Sequence, residues 1–146
     1  MTLPITLTIA AAAAVVNLWL AIRISSVRIR KNVLVGDGGD AGMEARTRAH
    51  ANFVEYAPFV LILVAGIELA GGSPTWLWIA GAVFIVGRIA HGIGMLILKT
   101  NPLRAGGILI TWVVLAALAG WAVTIAYAGT HAQPARTFAL DSATRG

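Results

Sequence analysis

The sequence contains no cysteine and few charged residues, and both shortages narrow what the protein can be. Without cysteine, a disulfide framework, a cysteine nucleophile and a thiolate metal site are excluded, and no other metal site is predicted. Charged residues make up 12% of the chain, hydrophobic residues make up 58%, and the mean hydropathy is +0.82. Ordinary soluble domains contain about 25% charged residues. The composition therefore predicts an integral membrane protein, in which any thiol chemistry must arrive with a substrate.

Four apolar stretches, separated by segments rich in Gly, Pro or charge, are each long enough to cross about 30 Å of hydrocarbon as a helix. The predicted spans are residues 3–24, 46–69, 75–98 and 105–127, and a polar tail follows at 129–146. The short connections leave no room for a separate soluble domain. We therefore expect residues 1–146 to form a single all-α domain, a four-helix membrane bundle.

Three further features of the sequence, one segment and two single residues, lead to expectations of their own. The Gly36–Gly39 segment lacks the Lys-Ser/Thr of a phosphate-binding loop and the spaced carboxylates of a calcium loop, so a tight turn is predicted there. Asn17, within the first span, is expected to bond to a neighbouring helix. Glu68, beside the second loop, is expected to be solvated.

Basic residues are concentrated in two of the three predicted loops. Loop one and its flanks hold six of them, loop three holds Lys99 and Arg104, and loop two holds none. Lys and Arg are retained on the cytoplasmic side of a membrane, so loops one and three are expected in the cytoplasm and both termini outside. This topology accounts for the net charge of +5, which therefore gives no support to nucleic-acid binding.

The second predicted span carries a stripe of polar side chains at helical spacing: Arg48, Asn52, Glu55 and Tyr56. The third span carries Arg88 and His91, which share a face at i and i+3. Ionisable groups inside a membrane are costly, so they are expected to pair or to line a polar cavity. The topology places both sets in the cytoplasmic half. The first geometric expectation is a Glu55–Arg88 ion pair beside a pocket that opens to the cytoplasm.

The pattern Arg-x-x-x-Asn-x-x-Glu-Tyr-x-Pro at residues 48–58 resembles the signature of the MAPEG family, the membrane-associated proteins in eicosanoid and glutathione metabolism. Residues 32–39 resemble the loop of the bacterial branch, and residues 87–92 resemble the family's third-helix motif. The resemblance covers nearly the whole chain. It implies a homotrimer of four-helix subunits, here in a bacterial inner membrane, with glutathione held at each subunit interface and open to the cytoplasm.

Carried over by position, the resemblance implies a glutathione site. Its candidate residues are Arg48, Asn52, Glu55, Tyr56, Arg30, His50, Arg88 and His91. Glutathione has two carboxylates and an ammonium group, which suit cations and Glu55 respectively, and Asn52 supplies amide hydrogen bonds. The thiol must ionise before it attacks, and a nearby cation favours the thiolate. The activating arginine of catalytic relatives aligns with Lys99, and a small shift of the alignment replaces Lys99 by Arg104, so either is a candidate for this role.

The sequence departs from the catalytic relatives at two positions of the third span. Met95 and His91 stand where the leukotriene-forming enzyme has tyrosines. The predicted function is a membrane glutathione transferase or peroxidase acting on lipophilic electrophiles or hydroperoxides partitioned from the lipid. Two alternatives stay open: a glutathione- or lipid-binding scaffold without turnover, and a small transporter.

Overall fold

A computed structural model of the protein describes residues 2–132, and this part of the chain is all-helical. The four helices are α1 at Pro4–Lys31, α2 at Ala41–Leu69, α3 at Pro74–Gly94 and α4 at Pro102–Ala132. All four are long and apolar enough to cross a membrane. For residues 2–132, the prediction of an all-α fold with four helices able to span a membrane is confirmed.

The helix ends differ from the predicted spans, most clearly between α3 and α4. Residues 95–98 were expected in the third span, but α3 ends at Gly94. Asn101 explains the early stop, because its Nδ2 group donates to the carbonyls of Gly94 at 2.9 Å and Lys99 at 3.1 Å. Its Oδ1 atom also accepts from the backbone N–H of Arg104 at 3.0 Å, in the first turn of α4. One side chain thus caps both helices and fixes where Arg104 lies.

The C-terminal ends of α1 and α4 and the N-terminal end of α2 extend past the predicted spans. Helix α1 continues through three basic residues of its last turn, and α2 begins at Ala41, before the predicted span. Helix α4 continues to Ala132, so the first residues of the predicted polar tail are helical. The rest of that tail, residues 133–146, lies outside the described residues.

The connection between α1 and α2 contains the predicted tight turn, which is closed by a hydrogen bond from the Asp40 N–H to the Asp37 carbonyl at 3.1 Å. Asn32 and Gly36 have positive φ angles of 53° and 74°, which reverse the chain after α1. Asp40 caps α2 by accepting from the backbone N–H of Met43 at 2.7 Å, and it forms an ion pair with Lys31. The hydrogen bond from Lys31 and the one from Met43 hold the pKa of the Asp40 carboxyl below its ordinary value.

Helix α3 packs most extensively on α4, and α1 packs most extensively on α2. The α3–α4 approach is very close because Gly87 and Gly107 face each other. A methyl group at position 107 would lie 2.5 Å from the Gly87 carbonyl oxygen and 2.6 Å from the His91 backbone nitrogen. The absence of side chains at this crossing brings the first turns of α4 against the end of α3.

Two polar residues of the spans do not behave as predicted. Glu68 is not simply solvated, because its carboxylate accepts from the backbone N–H groups of Ile5 at 3.0 Å and Thr6 at 2.8 Å. It therefore caps α1, whose own N-cap residue has no capping side chain. The expectation for Asn17 is also wrong, since its Oδ1 atom is buried without a hydrogen-bond partner among residues 2–132.

Candidate functional site

A cleft of about 290 Å³ lies where the first half of α2 faces the end of α3 and the start of α4. We call it the α2–α4 cleft. Its lining residues are Arg48, Ala51, Asn52, Glu55, His91, Met95 and Arg104. The structure thus brings three residues of the predicted α2 stripe together with one predicted residue of α3 and with Arg104.

Charges of both signs border this cleft with little internal compensation. The Arg48 Nε atom donates to Glu44 at 2.9 Å across one helical turn, but both side chains are at least half exposed. An exposed pair of this kind contributes only about 0.3–0.5 kcal/mol to stability, so Arg48 can leave Glu44 for a ligand at a small cost in free energy. Within residues 2–132, the side chains of Glu55 and Arg104 form no ion pair. A ligand with groups of both signs would find complementary charges here.

Arg88 lies directly behind the cleft wall and is 1% exposed. Its Nη2 group donates to the Asn52 Oδ1 atom at 2.9 Å, and its Nη1 group donates to the Thr111 hydroxyl at 3.3 Å. The guanidinium also lies 5.6 Å from the centre of the Phe53 ring, within the range of a cation–π contact.

The predicted Glu55–Arg88 ion pair is wrong. Asn52, almost one turn earlier on α2, faces Arg88 and occupies its Nη2 group. Glu55 is exposed and borders the open side of the cleft, whereas Arg88 is enclosed between α2, α3 and α4. Neutral oxygens therefore bind the two terminal nitrogens of the buried cation, its Nε atom has no partner among residues 2–132, and the carboxylate stays available at the cleft.

His91 forms the α3 wall of the cleft and is 5% exposed. Its Nδ1 atom lies 3.0 Å from the backbone carbonyl oxygen of Arg104. A carbonyl can only accept a hydrogen bond, so this contact places a proton on Nδ1. The imidazole thereby joins α3 to the first turn of α4 and helps to hold Arg104 beside the cleft.

Arg104, and not Lys99, lies on the wall of the α2–α4 cleft. A second space of about 450 Å³ adjoins it and is lined by His91, Thr100, Asn101, Arg104, Ala105 and Ile108. Arg104 and His91 border both spaces. Lys99 is exposed in the connection between α3 and α4 and lines neither of them.

Three other predicted residues lie outside the α2–α4 cleft. The Tyr56 hydroxyl accepts from the Trp112 indole Nε1 group at 3.1 Å, which turns it toward α4. The Arg30 Nε group donates to the Ser26 carbonyl of its own helix at 3.1 Å. His50 is partly buried, and its Nε2 atom has no partner among residues 2–132.

Sequence reasoning missed two residues that organise the site. Glu44 precedes Arg48 by four residues, and this spacing alone was enough to indicate their helical pair. Thr111 had no such signal. Its contact with Arg88 depends on which faces of α3 and α4 meet, and the sequence does not specify that.

Comparisons with known proteins were consistent with this architecture. A protein-family model described as MAPEG family matches residues 6–124. Two relatives named Inner membrane protein YecN, from Escherichia coli strain K12 and from E. coli O6:H1 strain CFT073, are each 34% identical over 68 residues. The aligned stretch covers 47% of this chain and 52% of each relative, so the chain spans about half the length of these curated relatives.

Proposed function

The chain belongs to the MAPEG family, and from this premise we propose that it binds glutathione in the α2–α4 cleft as an inner-membrane glutathione transferase- or peroxidase-like protein. The resemblance drawn from residues 48–58 is confirmed by the family match. Four apolar helices and the inner-membrane relatives support an integral inner-membrane protein. The glutathione chemistry is our proposal and is argued from the site.

The proposal depends on one observation: Glu55 and Arg104, which have opposite charges and form no ion pair among residues 2–132, line the same cleft. Glutathione presents two carboxylates and one ammonium group. Arg48 and Arg104 supply cations, Glu55 supplies the carboxylate that an ammonium group needs, and Asn52 supplies amide hydrogen bonds. A purely structural polar cluster would be expected to close on itself, whereas Glu55 and Arg104 face the cleft without an ion-pair partner in the described part of the chain.

Arg104 is the residue that we assign to thiol activation. A free thiol has a pKa of about 8.5, and a nearby cation lowers it by favouring the thiolate. Arg104 borders both the α2–α4 cleft and the adjoining space, so a thiolate beside it would face a second substrate there. The sulfur then attacks an electrophilic carbon, and a leaving group such as chloride departs with the bonding electrons.

We also propose that the site is completed in a homotrimer. The cleft volume of about 290 Å³ is at the low end of the roughly 300–1,000 Å³ of small-molecule sites, and Arg48, Glu55 and Arg104 are exposed along its open side. A neighbouring subunit would supply the missing wall. Arg30 and His50 lie outside the cleft of their own subunit. They stay candidates for contacts with glutathione bound in the cleft of the neighbouring subunit. The basic residues of loops one and three support a cytoplasmic position for this end of the bundle.

A second candidate is a glutathione-binding protein without turnover. It is favoured by the lining of the cleft, where Met95 and His91 replace the tyrosines of catalytic relatives. Tyr56, the tyrosine of the α2 stripe, accepts a hydrogen bond from Trp112 and does not line the cleft. Thiol activation would then depend on Arg104 alone.

The two candidates are separated by one set of measurements on detergent-purified protein. Radiolabelled glutathione is added in equilibrium dialysis, and conjugation is assayed with a chloronitrobenzene and with a lipid hydroperoxide. We expect saturable binding and turnover, both reduced in Arg48→Ala. Binding without turnover would favour the scaffold, and absence of binding would contradict both candidates.

A further inference from the structure

A chain of hydrogen bonds with one fixed direction runs from α4 through α3 to the cleft. The Thr111 hydroxyl donates to the Gly107 carbonyl at 2.9 Å, so its lone pairs are left to accept from the Arg88 Nη1 group at 3.3 Å. The Nη2 group of the same guanidinium donates to the Asn52 Oδ1 atom at 2.9 Å. Each link has only one possible direction, because a carbonyl only accepts and a guanidinium only donates.

This direction determines how Asn52 faces the cleft. A reversed amide would set its NH₂ group against the donors of Arg88, so the Oδ1 atom must point to Arg88 and the Nδ2 atom away from it. Among residues 2–132 the Nδ2 group donates to no protein acceptor, and it is not among the buried unpartnered atoms. Asn52 lines the cleft. The cleft wall therefore presents N–H donors at this point and no acceptor.

We infer that Arg88, held by Thr111, is a positioning residue that locks the Asn52 amide so that the cleft selects a carboxylate oxygen of its ligand. The inference deepens the proposed function and rests on it for the identity of the ligand. Arg88 itself is buried and does not line the cleft. Its effect on binding passes entirely through the orientation of Asn52.

The surroundings of this chain make it rigid. Thr111 and Arg88 are 0% and 1% exposed, so water cannot replace a lost link. The close approach of Gly87 and Gly107 holds the α4 backbone where the Thr111 hydroxyl reaches the guanidinium. A side chain that removes the hydroxyl without changing the volume should therefore release Arg88 and leave the helix crossing intact.

The binding test uses Thr111→Val, which replaces the hydroxyl by a methyl group of similar size. Thr111→Ser keeps the hydroxyl, and Thr124→Val is the matched control on the same helix, because among residues 2–132 the Thr124 hydroxyl bonds only to the Trp121 carbonyl. We expect Thr111→Val to weaken glutathione binding on the order of tenfold, the scale of one hydrogen bond to a charged group. Thr111→Ser should restore binding to within about twofold of the wild type, and Thr124→Val should leave it unchanged.

A series of ligands distinguishes a loss of Asn52 orientation from a nonspecific loss of binding. Dissociation constants are measured for glutathione, for an analogue with methylamine in place of glycine, and for an analogue with 4-aminobutanoate in place of the γ-glutamyl residue. Each analogue lacks one carboxylate. The penalty of Thr111→Val should disappear for the analogue that lacks the carboxylate bound by Asn52. An equal penalty for all three ligands would overturn the inference.

A second readout does not depend on glutathione. The side-chain amide resonance of Asn52 is observed by ¹⁵N NMR in micelles and assigned by its loss in Asn52→Asp. It should shift in Thr111→Val and stay in place in Thr124→Val, and an unmoved resonance would overturn the positioning role. If the resonance shifts but the wild type binds no glutathione, the proposed function falls and the positioning role stands.

Discussion

The Nη2 group of Arg88 donates to the Oδ1 atom of Asn52 across 2.9 Å, so a buried cation on α3 is joined to the polar wall of an open cleft on α2. This contact takes the place that an ion pair with Glu55 was expected to hold. As a consequence, Asn52 accepts the hydrogen bond of the buried Arg88, and the Glu55 carboxylate is left to bind a ligand in the cleft.

Asn52→Asp should preserve the fold and weaken ligand binding. The carboxylate has the shape of the amide and still accepts from Arg88, but it has no N–H to donate and it repels a ligand carboxylate. We expect at least about a tenfold loss of glutathione affinity with no fall in thermal unfolding temperature, measured by dialysis and by a melting curve on the same preparation. Wild-type affinity in this variant would show that Asn52 does not donate to the ligand.

Arg104→Ala and Lys99→Ala should differ sharply in their pH profiles. If Arg104 stabilises the thiolate, its removal raises the pKa of bound glutathione toward about 8.5, and the activity at pH 7 falls about 10- to 100-fold. The rate should then recover as the pH is raised. Lys99→Ala should stay within about twofold of the wild type, because Lys99 lines neither space. The opposite ranking would assign the role to Lys99.

Glu68→Ala should destabilise the bundle without affecting the cleft. The variant leaves the first-turn N–H groups of Ile5 and Thr6 without their charged acceptor. A clear fall in unfolding temperature is expected. Glu44→Ala removes an exposed carboxylate from the same helix and should change stability by at most about 0.5 kcal/mol. Equal effects of the two variants would argue against the capping role of Glu68.

In acid, Asp40 should lose the ion pair with Lys31 and the cap on α2, the two contacts that we call the Asp40 clamp. Hydrogen bonds from Lys31 and Met43 lower the pKa of Asp40 in the folded protein. The stabilisation is therefore complete above the unfolded pKa of about 3.9 and is lost as the pH falls through the lower folded pKa. The amide resonance of Met43 should titrate with a midpoint below about 3.9 in the wild type and show no such step in Asp40→Asn. A midpoint at or above that value would contradict the clamp.

The sequence predicts the four spans, because each is a long apolar run, but it does not predict the helix ends, which depend on capping contacts such as those of Asn101. It also predicts which residues of α2 share a stripe, since helical spacing alone decides that. It does not predict the partner of Arg88, because Asn52 and Glu55 occupy similar faces and only the rotation of α3 against α2 selects between them. The Thr111 contact and the cap that Glu68 places on α1 are missed for the same reason, since both join residues from different helices.

The most direct measurement of the central claim is the binding of radiolabelled glutathione to the wild type, Glu55→Gln and Glu68→Gln. Both variants remove one carboxylate from α2, but only Glu55 borders the cleft. The account predicts saturable wild-type binding, at least about tenfold weaker binding in Glu55→Gln, and a change of no more than about twofold in Glu68→Gln. Absence of saturable wild-type binding, or equal affinities in all three proteins, would contradict it.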